Sequence, residues 1–497
     1  MYYHIPSVPA EELSNQYAVF IGEDRVPVRK ARVSAVPFNT WWPGHQRTLD
    51  QTEMSAFASF EMTEGEPLTV KVVCLKVGVG HVDIKPTCFG ITPKVEGQVI
   101  SFTLDRPRHF TVEINDVHHV LHVFVSPVKD YGVDKYANNV RYFGPGIHRA
   151  GLIRLYSGET LFIDEGAVVY GSVYARNADN IRVLGRGVLD AAIYSRNDIP
   201  DGNGNDRLVI RRELRRLGVR NACGNLLMEN CHNVEIDGVI FRDPPEWSFN
   251  LYGCEDVLIN DIKLIGLWRY NADGIDIYLG RRYEIANSFI RSFDDSVVAR
   301  GACSPFDEDV FEDMNVHDCV LWCDWGRAIE IWTSQRTAHL KNIFFKDCQI
   351  IRTTHVAMDI QIYQSGPTYI DNVVCENIDV DTDEHGLRPV YQKSDAQLYQ
   401  NTDDNYLPIL CFVGNAYKFD APYNPMGFQV DVHYSNILFR NIRVTGSRMP
   451  QSILKAIDGY MTLENIRFEG IFFNGKRLKS AKAMALDAEG EPDYTIR

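Results

Sequence analysis

Two patterns of apolar and polar residues divide the chain. Up to about residue 130, short segments alternate apolar with polar positions, as in 68–73 (Leu-Thr-Val-Lys-Val-Val) and 119–125 (His-Val-Leu-His-Val-Phe-Val). Period-two alternation without helical spacing predicts strands of an antiparallel β-sandwich. Beyond residue 130 a unit recurs: Asn or Asp, then an apolar-x-apolar strand, then a second short strand. It begins at Asn180, Asn233, Asp256, Asn342, Asn372, Asn436 and Asn465. Spacings are 23 (233 to 256), 30 (342 to 372) and 29 (436 to 465). Short strands repeating with that period predict a solenoid, in which each coil buries its apolar face only against the next. No leucine consensus or helical half-repeat is present. The expected architecture is therefore all-β: a β-sandwich over residues 1–130 and a right-handed parallel β-helix over residues 131–497.

The cysteines keep the same register. Cys231 and Cys254 stand 23 apart, and Cys319 and Cys348 fall at equivalent places in their coils. Stacked small side chains explain this better than metal binding or disulfides. The count of 11 is odd, and no spacing suits zinc. Two stretches break the period: 192–222, which holds a charged run and predicts a loop with a short helix, and 380–432. Insertions in solenoids become loops, often beside the binding face.

The candidate chemistry lies in two successive coils. One reads Tyr-Asn-Ala-Asp-Gly-Ile-Asp over 270–276, the other Ser-Phe-Asp-Asp-Ser-Val-Val-Ala-Arg over 292–300. Asp273 and Asp294 are 21 apart, about one coil, so their side chains are expected at neighbouring positions, stacked strands lying about 4.8 Å apart. Crowded carboxylates repel, and at least one must hold its proton to higher pH. Asp273, Asp294 and Asp295 thus suit a reaction needing one carboxylic acid and one carboxylate, as glycosidic hydrolysis does. Turn capping by Asp and Asn and calcium binding are the competing explanations. Neither accounts as well for two acidic motifs falling one coil apart.

Segments 225–234, 244–251 and 271–276, with Asp294 and Asp295, resemble glycoside hydrolase family 28, the polygalacturonases, over roughly residues 140–375. The resemblance implies an inverting hydrolase with Asp294 as general acid and with Asp273 and Asp295 holding and deprotonating water. The departures are informative. The family's Asn-Thr-Asp is Asn271-Ala272-Asp273, its Gly-His-Gly is Gly326-Arg327-Ala328, and its uronate-gripping Arg-Ile-Lys is Asp359-Ile360-Gln361. Loss of two cations removes the partner a galacturonate carboxylate needs. That favours a neutral sugar, possibly α-linked, as in the related dextranase-like β-helix hydrolases, which also carry an N-terminal sandwich.

Further substrate-binding candidates are Asn271, Trp247, Arg300, Arg327, Glu330, Trp332, His355, Asp359 and Gln361. Strict alternation puts Arg327 and Glu330 on opposite faces, so they share the cleft only if the strand bends. Trp247 and Trp332 suit either sugar stacking or solenoid filling. In the N-terminal part, adjacent tryptophans at 41 and 42 cannot both be buried in one strand. Trp41, His45 and Arg47 either plug the domain interface or reach over to complete the pocket.

Composition narrows the partners. A formal charge of −15 disfavours nucleic acid and anionic membranes, and the absence of a long apolar run disfavours a membrane span. The expected partner is an oligo- or polysaccharide; no cofactor or metal is expected, and homo-oligomerisation is left open. The first residues lack a basic stretch followed by an apolar one, and the thiols suit a reducing compartment, so a cytoplasmic setting is expected, or a secreted one if a leader is missing. An exo-acting hydrolase is the first expectation. A polygalacturonase, a β-helix lyase or epimerase, and a non-catalytic carbohydrate-binding solenoid are the alternatives; an unsaturated uronate product would mark the lyase.

Overall fold

A computed structural model describes residues 2–497 except 36–37, 40–48, 66, 196–207, 220–222, 302–309, 334–337, 363–366, 383–388, 392–399, 402–406, 416–431 and 458. Trp41, His45 and Arg47 lie outside the described residues.

The N-terminal part is a sandwich of a six-stranded and a five-stranded sheet, closed over Val19, Phe60, Val70, Phe102, Val112 and Val123. Pairing is antiparallel as expected, with one exception. Thr52–Met62 and Asp116–Pro127 run parallel, with Leu121 opposite Ala56. The strands between them in sequence include the second sheet's Leu68–Cys74 and Val99–Leu104, so the chain crosses the sandwich before returning, which parallel neighbours require.

From Val140 to Ile496 thirty of the described strands form one continuous sheet, wound as a right-handed parallel β-helix with three faces per coil. The repeat seen in the sequence is its turn. Asn180, Asn233, Asp256, Asn342, Asn372, Asn436 and Asn465 all have φ between 53° and 57°. Asn and Asp tolerate this left-handed conformation better than other side-chain-bearing residues. The amides also bond coil to coil: Asn342 Nδ2 donates to Asp313 Oδ1 at 2.8 Å, and Asn372 Nδ2 donates to Asn342 Oδ1 at 2.8 Å. Asn342→Ala loses both bonds and strains the turn, and lowers stability by about 1–2 kcal/mol. An unchanged melting temperature would contradict this account of the repeat.

Inside the solenoid, Cys231, Cys254, Cys319 and Cys348 are buried in the apolar core as free thiols. The 192–222 break yields a helix, Ile210–Arg216, as expected. The 380–432 break is less complete than the sequence suggested. Asp379–Thr382 and Ile409–Asn415 continue two faces of the coil. They went unrecognised because the Asn/Asp signal marks the turn into a different face.

The sandwich sits on one solenoid face. Phe57, Val120 and Phe124 pack on Ile240, Ile265, Phe289, Val320 and Trp322. Buried ion pairs cross the same seam, with Arg242 joining Glu12 to Asp190. A second face is left to carry the site.

Candidate active site

The site face is built from Phe249–Asn260, Ile275–Ala286, Val297–Gly301, Arg327–Thr333 and Val356–Ile362, each paired in parallel with the next. Alternation along these strands sorts the side chains. Ile275, Ile277, Val297, Ala299, Ile329, Ile331, Met358 and Ile360 fill the core. Their neighbours point outward in two rows: Asp276, Val298, Glu330 and Asp359 in one, Tyr278, Arg300, Trp332 and Gln361 in the other. A carboxylate-rich row thus runs beside a row of rings and polar heads.

The aspartates lie at the turn leading into these strands. Gly274 N–H donates to Asp295 O and Ser296 N–H to Arg327 O, each at 2.8 Å, stacking Asp273, Asp295 and Arg327 on successive coils. The residue stacked on Asp273 is therefore Asp295, 22 positions on, and not Asp294 as the spacing of 21 suggested. Asp294 occupies the turn itself. Its Oδ1 accepts the Asp295 N–H at 3.1 Å, and Asn271 Nδ2 points at its Oδ2 from 3.4 Å. Gly326 closes the turn above. A Cβ there would stand 2.7 Å from both Asp294 Oδ1 and Asp295 Oδ1.

Two guanidiniums serve six buried carboxyl groups. Arg300 donates from Nε to Asp276 Oδ1 (2.6 Å) and from Nη2 to Asp273 Oδ2 (2.9 Å). Arg327 donates from Nε to Asp359 Oδ2 (3.1 Å), and its Nη1 lies 3.5 Å from Asp295 Oδ1, which also accepts the Arg327 N–H at 2.8 Å. Its Nε is 3.6 Å from Glu330 Oε1, so the two residues share the cleft. The strand bends at its start, where consecutive Ala328 and Ile329 both enter the core. That departure from alternation brings Arg327 to Glu330.

Two cations cannot hold six carboxyls ionised. Burial, then repulsion from Asp276, Asp294 and Asp295, pushes Asp273 well above the ordinary carboxylate range, with Arg300 opposing. Burial and the Asp295 charge push Asp294 well up. Asp295 goes the other way: burial would raise it, but Arg327, a hydrogen bond with Glu330, Arg300 and the Arg327 N–H hold it down. Burial lifts Glu330 well above its usual value, Asp359 to about 7 and Asp276 to about 6. The cluster thus separates a proton-retaining Asp294 from an ionised Asp295, the division an acid–base pair needs.

The remaining candidates fall around this core. Gln361 Nε2 donates to Glu330 Oε1 at 2.8 Å. His355, on the coil after Arg327, packs edge-on to Trp325 with ring centroids 4.9 Å apart; burial and the Arg327 charge depress it to about 3, so it is a neutral imidazole. Trp247 and Trp332 are half-buried and flank the Arg300 guanidinium, whose carbon lies 5.4 and 4.8 Å from their ring centroids. Both are therefore engaged by a cation whatever else they touch. Sequence reasoning missed Asp276, Tyr278, Trp325 and Gly326 as site residues. Asp276 had a signal: as the second Asp of Asp-Gly-Ile-Asp it precedes an apolar-x-apolar alternation that turns it outward. At the N-terminal edge of the site, Tyr278 and Tyr252 stack at 4.3 Å and join Leu214 of the short helix in one apolar cluster, so that helix walls the cleft on its N-terminal side.

Residues 161–390 match the model of glycosyl hydrolases family 28, and the chain is a glycoside hydrolase of the parallel β-helix type. Among solved structures, Dex49A from Penicillium minioluteum aligns at a TM-score of 0.66 with 15% identity, covering 99% of this chain and 96% of that one. This likeness takes in the sandwich and the solenoid together. The Yersinia enterocolitica family 28 exopolygalacturonase aligns at 0.47 with 12% identity over 86% and 96% of the two chains. An exopolygalacturonase from Thermotoga maritima aligns at 0.41 with 13% identity over 68% and 84%. No curated protein sequence matches significantly.

Proposed function

We propose that the protein is an inverting glycosidase acting from the end of a neutral, α-linked oligosaccharide rather than on galacturonan. The observation that carries this reading is the character of the free hydrogen-bonding atoms in the cleft. Asp273 Oδ1, Glu330 Oε2, Asp359 Oδ1 and Gln361 Oε1 are buried and unpartnered among the described residues, as is Trp247 Nε1, an uncharged donor, and none of the five is a cation. Both arginines are already committed to carboxylates. A uronate carboxylate entering here would find no uncommitted cation, whereas sugar hydroxyls can both accept from the proton-holding carboxyls and donate to their oxygens.

In this reading Asp294, keeping its proton, protonates the leaving oxygen. Asp273 and Asp295 hold a water on the opposite side of the sugar, and the ionised Asp295 takes its proton as the water attacks. The bond to the leaving oxygen breaks while the bond from water forms, so the anomeric configuration inverts. Exo action is supported by the helix that walls one end of the cleft.

The test is a panel of chromogenic α- and β-glycosides, neutral α-linked oligosaccharides and oligogalacturonates, with proton NMR of the first-released anomer. A neutral α-linked substrate yielding β product is expected. Hydrolysis confined to oligogalacturonates, or an α product, would overturn the reading. On the best neutral substrate, Asp359→Ala raises KM about tenfold, the effect of one lost strong hydrogen bond.

A further inference from the structure

Arg300 sits where a sugar-binding residue would be expected, on the outward row of the site face, yet its donors are turned to protein. One guanidinium spans two carboxylates three residues apart on the preceding coil, Asp276 at 2.6 Å and Asp273 at 2.9 Å. Rings from three coils enclose it: Trp247 at 5.4 Å, Tyr278 at 5.6 Å and Trp332 at 4.8 Å. Asp276 is wholly buried, and no other cation reaches it among the described residues. Its second oxygen, Oδ2, has no partner there. Such a carboxylate is tolerated only as the holder of its arginine. The arginine in turn occupies Asp273 Oδ2 and leaves Oδ1 open to the cleft.

We propose that Arg300, clamped by Asp276 and three aromatic rings, is a positioning residue that fixes the Asp273 carboxylate with Oδ1 aimed at the attacking water, and is not a sugar contact. This rests on the reading of Asp273 as a water-binding carboxylate. A planar fork held at two points fixes a partner's rotation as a point charge does not. The titratable and charged groups facing Asp273 are Asp276 and Tyr278 on its own coil and Asp294, Asp295 and Arg300 on the next. Arg300 alone among them lowers its pKa. Loss of that cation moves the Asp273 titration further up, so the acid limb of the rate profile shifts to higher pH. Loss of the Asp276 charge removes a repulsion and shifts it the other way.

The experiment compares Arg300→Met, Arg300→Lys and Asp276→Asn on the best neutral glycoside of the panel, with thermal melts to check folding. Arg300→Met is expected to lower kcat at least about a hundredfold with KM within about twofold, and to raise the acid limb. Arg300→Lys recovers the position of the acid limb but only part of kcat; Asp276→Asn lowers kcat without raising the limb. A KM rise at unchanged kcat, or equal kcat losses with an unmoved limb, overturns the proposal. Carbon-13 NMR titration of aspartate carboxyls in the Asp294→Asn background reads Asp273 without turnover. An unshifted Asp273 on adding Arg300→Met overturns the clamp even if no glycoside is hydrolysed, whereas a shifted Asp273 in a protein that hydrolyses nothing overturns the hydrolytic reading alone.

Discussion

Asp294→Asn is expected to cut kcat by about a thousandfold or more, within the range that general acid catalysis contributes, while the fold survives. The amide keeps the shape of the carboxyl group and cannot protonate a leaving oxygen. It also relieves crowding: burial and the neighbouring Asp295 charge disfavour ionisation at this position, so a permanently neutral side chain costs the folded state little. The melting temperature should stay level or rise, the pattern expected when function and stability are in conflict at a site. Steady-state kinetics and a thermal melt on the same preparation check both halves. A variant with near-wild-type kcat would remove Asp294 from the acid role, and a variant that fails to fold would show that its carboxyl is structural.

How much of this was legible beforehand depended on which face of the coil carried a signal. Turns into the face after each Asn/Asp were visible because left-handed φ restricts the residue choice there; Asn233, Asn342 and Asn465 announced the solenoid. The site face begins instead at turns of varied sequence, such as 293–296 and 324–327. Its coil offset was therefore misjudged by one residue, and Asp295 rather than Asp294 stacks on Asp273. The rung at Ile409–Asn415 was missed for the same reason. The carboxylates themselves were readable as a cluster, but their separate protonation tendencies were not. Those follow from where Arg300 and Arg327 direct their donors, which is a matter of rotamers and of the bend at Ala328-Ile329. The seam was likewise invisible as a contact, since Phe57 and Trp322 look like ordinary core residues until the domains meet.

Gly326→Ala should be nearly as damaging to catalysis as loss of a carboxylate, although it touches no charge. The added methyl would sit 2.7 Å from Asp294 Oδ1, 2.7 Å from Asp295 Oδ1 and 2.9 Å from Asp295 N. Two of these atoms are the ends of short, buried side chains and the third is backbone, so there is no flexible tip to swing aside. The coil must shift, and with it the Arg327 N–H that holds Asp295 Oδ1 at 2.8 Å and the His355 N–H bonded to Gly326 O at 3.0 Å. Displacing the acid and base by even about 1 Å costs roughly a hundredfold in rate, and the expected loss in kcat is at least that. The melting temperature should fall as well, because Gly326 itself is buried. Gly78→Ala is the control, since an added Cβ there meets nothing within 4 Å. Equal kcat in the two variants would mean that the spacing between the Gly326 turn and the aspartates is not what sets the catalytic geometry.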